Sequence, residues 1–389
     1  MTFKQLFILR IRELKVLLLL IAAYVVSFCR RDRQLWLIAE RGTDARDNGF
    51  WLFRYIKEKQ PGIRVKYIVS RNSPDLNKLA DYCDCLVETG SFQHYVLLWR
   101  AECLISTHIQ GFTPFPDLFA SINQKVGIWK NKKVVFLQHG ITKDLLPQLF
   151  YTNTRLDLFI CGAEPEYRFV CREFGYSDDK VAYTGLCRYD GLNDYRVKEQ
   201  ILIMPTWRQW LKSENFEKSE YFEIYSRLLC DSRFQAFLSE TGLSVVFYPH
   251  HEIQSQLDSF RALGISDKIV IADAAHYDVQ QLLKDSKLLI TDYSSVFFDF
   301  AYMHKPILFF QFDEKRFRQS HYQEGYFDFN DSFGPVARTV DELIDRLIMI
   351  ACSRFTLYKK YENNVTRFFL LRDANNCNRV FEQIKRING

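Results

Sequence analysis

Five short polar clusters in this chain hold residue types able to bind an anion or move a proton. They are Glu40-Arg41-Gly42, Gln138-His139-Gly140 with Lys143 close behind, Pro205-Thr206-Trp207-Arg208, Pro249-His250-His251, and Asp292-Tyr293-Ser294-Ser295 with Asp299 one turn later. A hydroxyl is a weak nucleophile at neutral pH, and a histidine such as His139 can take its proton during attack. Gly140 lets backbone approach a ligand closely, or simply permits a turn with positive φ. A departing phosphate needs positioned donors; Arg208 offers a bidentate fork and His250 a hydrogen bond or a proton. Ser294 and Ser295 open an amphipathic stretch, where the free N–H groups of a helix start suit a phosphate. Each cluster also has a plainer reading. Ser294 serves as an N-cap, Asp299 as an exposed residue of an early helical turn, and the histidines as satisfied structural groups. Glu40–Gly49 either grips a second substrate or is a loop in which Asp47 or Asn48 caps the next helix, and capping is preferred.

These clusters need elements to position them. Short apolar runs predict strands at 35–39, 65–69, 103–106, 134–137 and 156–161, then, after a polar break near 193–198, at 201–204, 244–248, 269–272, 288–291 and 307–310. Helical patterns fall between them, as at 48–58, 166–174 and 295–303. Near-continuous apolar strands alternating with helices indicate parallel sheets covered on both faces. Two such series predict two doubly wound domains with a cleft between them. Ligands of such sheets bind beyond the carboxyl ends of strands, and all five clusters directly follow predicted strands. No G-x-G-x-x-G or Walker sequence occurs, which removes the main support for dinucleotide oxidoreductase and P-loop readings.

The chain has 389 residues, 48% hydrophobic and 25% charged, a length that suits two domains of roughly 150–200 residues. Its net charge of +5 sits entirely in residues 1–33, where Lys4, Arg10, Arg12, Lys15, Arg30, Arg31 and Arg33 face only Glu13 and Asp32. The remainder balances, so no docking face for nucleic acid is expected. Val16 to Phe28 is uncharged and flanked by cations, shorter than the ~20 residues of a spanning helix and without a signal-peptide cleavage pattern. It reads as a helix lying on an anionic membrane surface, the alternative being a core helix with solvated ends. Of ten cysteines none forms Cys-x-x-Cys, and Cys103, Cys161, Cys230 and Cys352 lie in apolar runs. Reduced structural thiols in a cytoplasmic protein are expected.

Taken in order, Gln138-His139-Gly140-Ile141-Thr142-Lys143, Pro205-Thr206-Trp207-Arg208, Pro249-His250 and Thr291-Asp292-Tyr293-Ser294-Ser295 through Asp299 resemble the CDP-glycerol glycerophosphotransferase family of teichoic-acid primases and polymerases. The opening ERGTDARDNGFWLFRYI and Gly334-Pro335-Val336 are similar to that family too, so the likeness runs from about Leu35 to Glu342. The resemblance implies an α/β chain of the GT-B type, and the apolar run with its basic flanks predicts a membrane-associating helix at residues 1–33 before it. Residues 34–195 would form a Rossmann-like acceptor and base domain, and 196–389 a CDP-donor domain with C-terminal helices. The resemblance implies attack by a hydroxyl of a polymer or lipid-linked acceptor on a CDP-glycerol or CDP-ribitol donor, with CMP leaving; the basic N-terminal flanks and the cysteine usage put this at the cytoplasmic face of the membrane. His139 would be the base. Arg208, His250, Ser294, Ser295 and Asp299 would hold the donor, and His139 through Lys143, Gly140 included, would line the donor-facing side. No metal and no cofactor are implied. The chain departs from the family in reading Pro249-His250-His251 where Pro-His-Pro is usual, and Asp373-Ala374-Asn375 where an Asp-Gly pair is usual. Two competing readings are a GT-B glycosyltransferase using a CMP-sugar or other nucleotide-sugar, and a non-catalytic membrane-attached binding module.

Overall fold

The computed structural model describes residues 3–28, 34–320 and 323–389, with side chains for 14–27, 34–320 and 323–389. The basic flank at 29–33 and the side chains of Lys4, Arg10 and Arg12 lie outside the described residues.

The apolar runs become two parallel sheets. The first holds β1 (Leu35–Ala39), β2 (Arg64–Val69), β3 (Leu86–Glu88), β4 (Cys103–Ser106), β5 (Lys133–Phe136), β6 (Leu158–Cys161) and β7 (Val181–Tyr183), in the order β3-β2-β1-β4-β5-β6-β7. The second holds β8 (Gln200–Met204), β9 (Ser244–Phe247), β10 (Ile269–Ile271), β11 (Leu288–Thr291), β12 (Ile307–Phe310) and β13 (Val336–Ala337), in the order β10-β9-β8-β11-β12-β13. Every residue of β1, β4, β6, β8, β11 and β12 is buried. That is why these strands read as unbroken apolar runs and do not alternate. In both sheets the order reverses beside the first strand, the doubly wound pattern in which loops after the two flanking strands open a crevice. The register places Ala39 beside Ser106 in the first sheet and Met204 beside Thr291 in the second. The loops that follow these paired ends are 40–47 with 107–111, and 205–208 with 292–295.

β3, β7 and β13 were not anticipated. They are two- or three-residue strands at sheet edges, where half of the ladder is absent and the apolar run is too short to mark the sequence.

The chain forms two units whose composition differs from the expected 34–195 and 196–389. One comprises Met1–His139, Pro147–Gly191 and Asp373–Gly389, the other Gly140–Leu146 and Leu192–Arg372. The last helix, Asn376–Asn388, was expected with the second sheet but belongs to the first unit. There Phe381 meets Trp36 with ring centroids 5.5 Å apart, Asn378 accepts from Tyr55 at 2.7 Å, and Asp190 caps the helix by accepting from the N–H groups of Asn376 and Cys377. Conversely, Leu145 pairs with Gln323, and Tyr326 donates its N–H to the Lys143 carbonyl. A Cβ on Gly325 would lie 2.1 Å from that carbonyl, so only glycine permits the approach.

At the N-terminus, α1 (Phe3–Phe28) lies against α3 (Phe92–Arg100), the helix that follows α2 (Asn48–Lys59). Val16, Leu20, Ala23 and Ser27 are buried, Trp99 donates its indole N–H to the Leu20 carbonyl at 3.0 Å, and Tyr24 meets Trp99 edge-on. The opposite stripe of Leu14, Leu17, Leu18, Ile21, Tyr24, Val25 and Val26 is 45–64% exposed. The segment is thus neither a core helix nor free of the protein. No described helix is long and apolar enough to cross a membrane. The nine described cysteines are free; Cys103, Cys161, Cys187 and Cys377 are buried, whereas Cys230 and Cys352, expected as small core hydrophobes, are exposed.

Candidate active site

In the first unit the loops after β1, β4 and β5 converge on His139. Gln138 takes the left-handed conformation, with φ of 61°, so the positive-φ turn that was one of two readings of Gly140 falls two residues earlier. Gln138 bears that strain because its side chain is fully engaged, donating to the Ile160 carbonyl at 2.6 Å and to Glu166 at 3.0 Å. From the other side Asn48 donates to the carbonyls of Leu137 and Gln138 and accepts from the Arg188 N–H. The backbone that presents His139 is therefore clamped on both sides.

His139 itself keeps solvent access. Its Nδ1 lies 3.4 Å from the Thr107 carbonyl, and its ring stacks on His108 with centroids 4.5 Å apart and planes 11° from parallel. The Nε of Arg41 donates to His108 at 3.0 Å, and Arg188 pairs with Asp47 at 2.6 Å. Loss of hydration among the surrounding protein atoms lowers the His139 pKa from its ordinary value. Asp47 opposes that shift, while the Arg41 and Arg188 cations add to it. A lowered pKa favours the neutral imidazole, the form that accepts a proton.

Beneath this cluster Glu40 is buried and accepts from the N–H groups of Arg46, Asp47 and Phe50 at 2.8–3.0 Å. Burial and then Asp47 push its carboxyl up to about 7, against the pull of those three donors. Asp47 caps α2 as expected. Glu40 braces the loop from within, and this role was not legible in the sequence.

In the second unit the expected ligands divide into two groups. Arg208 has no exposed surface: its guanidinium donates to Asp313 through two nitrogens at 2.6 and 3.0 Å, lies 2.9 Å from Asp292, and donates to the Thr206 carbonyl at 2.6 Å. Rings of Tyr221, Tyr293, Phe312 and Phe317 surround it at 5.1–5.7 Å. Burial opposes its charge, but the two carboxylates overcome that and hold its pKa well above the ordinary value. Asp292 also accepts from the N–H groups of Thr206 and Tyr293, so the Arg208–Asp292 pair ties the end of β8 to the end of β11. A direct phosphate contact by Arg208 is thus replaced by internal carboxylates. Lys143 is likewise withdrawn: it is 5% exposed and paired with Asp144, which also takes Arg318 at 2.9 Å. Burial lowers its pKa and Asp144 opposes the shift. Gly140 is buried beside it.

The remaining candidates do reach one edge of the second sheet. His250 follows β9 and Ser294-Ser295 follow β11, the strands on either side of β8. His250 is half-buried, accepts the Glu252 N–H at 3.3 Å and stacks near Trp207. Ser294 and Ser295 are partly exposed before the helix Val296–Tyr302. Asp299 is 5% exposed, not the exposed residue of the plainer reading. A cavity of about 530 Å³ opens alongside, lined by Trp207, Lys212, Glu214, Glu252 and Gln256 among others. Among the described residues no group of three or more His, Cys, Asp or Glu could hold a metal ion.

Sequence reasoning missed His108 and Asp313, and saw in Asn48 only a possible helix cap. His108 had a usable signal, since Thr107-His108 follow β4 in the way the five chosen clusters follow their strands. Asp313 had none, because its partner lies 105 residues away.

Comparison with known proteins gives a consistent result. A sequence profile described as CDP-Glycerol:Poly(glycerophosphate) glycerophosphotransferase matches residues 21–386. The minor teichoic acid biosynthesis protein GgaB of Bacillus subtilis (strain 168) is 30% identical over 372 residues, which cover 92% of this chain and 40% of that protein. The teichoic acid glycerol-phosphate primase of the same organism is 47% identical over 175 residues, 42% of each chain. This chain therefore spans less than half the length of these relatives. A solved structure of the wall teichoic acid polymerase TagF superposes with a TM-score of 0.67 at 17% identity, over 100% of this chain and 99% of that one.

Proposed function

Since the chain belongs to the CDP-glycerol:poly(glycerophosphate) glycerophosphotransferase family, we propose that it transfers a polyol phosphate from a CDP-linked donor to a hydroxyl of a cell-envelope polymer. The polyol is glycerol or ribitol, the acceptor a teichoic-acid or capsular chain, and CMP is released. In this reading His139 takes the proton of the acceptor hydroxyl. The hydroxyl oxygen bonds to the polyol-side phosphorus, and the bond from that phosphorus to the CMP oxygen breaks. The negative charge left on CMP is met by N–H and hydroxyl donors at Ser294 and Ser295 and by His250. Asp299 completes this donor-binding set, and Arg208 acts through Asp292 as a positioning residue for the turn that carries Ser294 and Ser295.

The observation that carries this reading is the state of His139. It is a solvent-accessible imidazole, its pKa held below the ordinary value, on a strained, doubly clamped loop at the carboxyl edge of a parallel sheet. We further propose that the exposed apolar stripe of α1, with the positive charge of residues 1–33, rests on the anionic cytoplasmic leaflet, making the protein peripheral to the membrane.

The test is a panel of CDP-glycerol, CDP-ribitol and CMP-sugars, with the extended acceptor weighed by mass spectrometry. The expected product gains whole polyol-phosphate units, and His139→Gln lowers kcat by roughly 10³-fold or more with donor affinity nearly kept, because a base acts in the transition state. A phosphate-free product from a CMP-sugar would overturn the reading in favour of a glycosyltransferase. Full turnover by His139→Gln would remove that residue from its role.

A further inference from the structure

The first unit presents two stacked histidines at the end of its sheet, and only one has been given work. We infer that His108, held by Arg41, is a positioning residue for His139, and that together with Thr107 they select the imidazole tautomer whose Nε2 is left as the proton acceptor. The inference rests on the reading of His139 as the general base.

The Nε–H of Arg41 can only donate, and it lies 3.0 Å from Nε2 of His108, so that nitrogen accepts. A neutral imidazole has one N–H, which then sits on Nδ1 of His108 and meets the Thr107 hydroxyl at 2.9 Å. A proton on Nε2 of His108 would have to displace Arg41. His108 is therefore held neutral in a single tautomer. Its ring lies nearly parallel to that of His139 and fixes the plane of the second imidazole. The Thr107 carbonyl can only accept, so Nδ1 of His139, 3.4 Å away, carries the hydrogen. By exclusion Nε2 of His139 bears the lone pair, because the hydrogen bond made by one ring nitrogen decides the state of the other. Thr107 is fully buried and serves both rings, one through its hydroxyl and one through its carbonyl.

The charged groups facing His139 come from three further places. Asp47 at the start of α2 favours the imidazolium, whereas Arg41 after β1 and Arg188 after β7 oppose it. Arg188 is already committed to Asp47, and Glu40 is enclosed by backbone donors. Arg41 is thus the cation whose loss should most change the proton affinity of His139.

The experiment uses the full chain labelled with ¹⁵N-histidine, His139→Gln identifying the resonance. In the unsubstituted protein His139 should appear as the Nδ1–H tautomer. Arg41→Gln should mix the tautomers and move the acidic limb of the kcat/KM profile upward by roughly 0.5–1 pH unit, a roughly 3- to 10-fold loss of rate below that limb. His108→Phe keeps a stacking ring but offers Arg41 no acceptor. It should lower kcat roughly tenfold with KM for CDP-glycerol within about twofold, and Arg41→Lys, which keeps a cation, should restore much of the pH profile lost in Arg41→Gln. An unchanged tautomer and an unchanged acidic limb in both Arg41→Gln and His108→Phe would overturn the inference. Should His108→Phe fail to fold, the two Arg41 variants decide it alone. Should the chain prove inactive on every donor, the proposed function fails, while the nitrogen spectra still show whether Arg41 and His108 set the state of His139.

Discussion

Arg208 shows how a residue with the right chemistry can be placed where that chemistry faces inward. Its position after β8 suggested a phosphate ligand, yet Asp292 and Asp313 meet its guanidinium inside a ring of aromatic side chains. Removing only the cation would leave two buried carboxylates without a counter-charge. Arg208→Met is therefore expected to cost about 3–5 kcal/mol, read as a lower urea midpoint, and Asp313→Leu added to it should recover part of the loss. A cost below about 1 kcal/mol would mean that water reaches the carboxylates and that the pocket is not closed. His94 offers a second test at this scale. Buried between the Gly90 N–H and the Phe112 carbonyl, its pKa is depressed to about 4 by loss of hydration. Below the ordinary value near 6.5 the unfolded chain binds a proton that the folded one refuses. The stabilising contribution is thus complete above that pH and fades as pH falls towards 4, by about 3 kcal/mol in all. Stability measured from pH 7 to 4 should decline accordingly, and His94→Gln should flatten that decline. His139 and Ser294-Ser295 were legible because each directly follows a long apolar run. Asp313 was not, because an ion pair between residues far apart in the chain leaves no local spacing to read.

Among the elements, α1 departs most from a simple expectation. It was read as a surface anchor, and its described part is also a packed element, since Val16, Leu20 and Ala23 cover α3 and Trp99 bonds to its backbone. Deleting the helix would uncover Trp99 and unsettle the first sheet, so binding and folding would fail together. Leu17→Glu with Ile21→Glu changes only the exposed stripe. This double variant is expected to keep its melting temperature within a few degrees and to lose most sedimentation with vesicles containing anionic lipid, because two charges oppose burial in the interface. Retained vesicle binding would assign attachment to some other surface. The long strands were predictable to within a residue or two because burial on both faces writes a continuous apolar run. The edge strands β3, β7 and β13, two or three residues long, are too short to leave such a trace.

At the scale of the whole molecule the chain does not divide once. Asp373–Gly389 returns to the first unit and Gly140–Leu146 belongs to the second. Ending the chain at Arg372 should therefore weaken the unit from which the cut is most distant in sequence. Hydrogen exchange is expected to show lost protection in β1, β5 and β6, with β8 to β12 nearly unchanged; the reverse pattern would contradict the assignment of the last helix. The sequence by itself determined the two parallel sheets, most of their strands, the rule placing polar clusters at strand ends, and the resemblance to a family. All of these depend on local patterns of burial and on short motifs. Only the tertiary structure decided which clusters face solvent and which are spent on internal partners. It set Arg208 and Lys143 against carboxylates, gave His139 a second histidine, and returned the final helix to the first sheet. Such outcomes depend on pairings between distant segments, and an arginine that binds phosphate has the same local sequence as one that binds two aspartates.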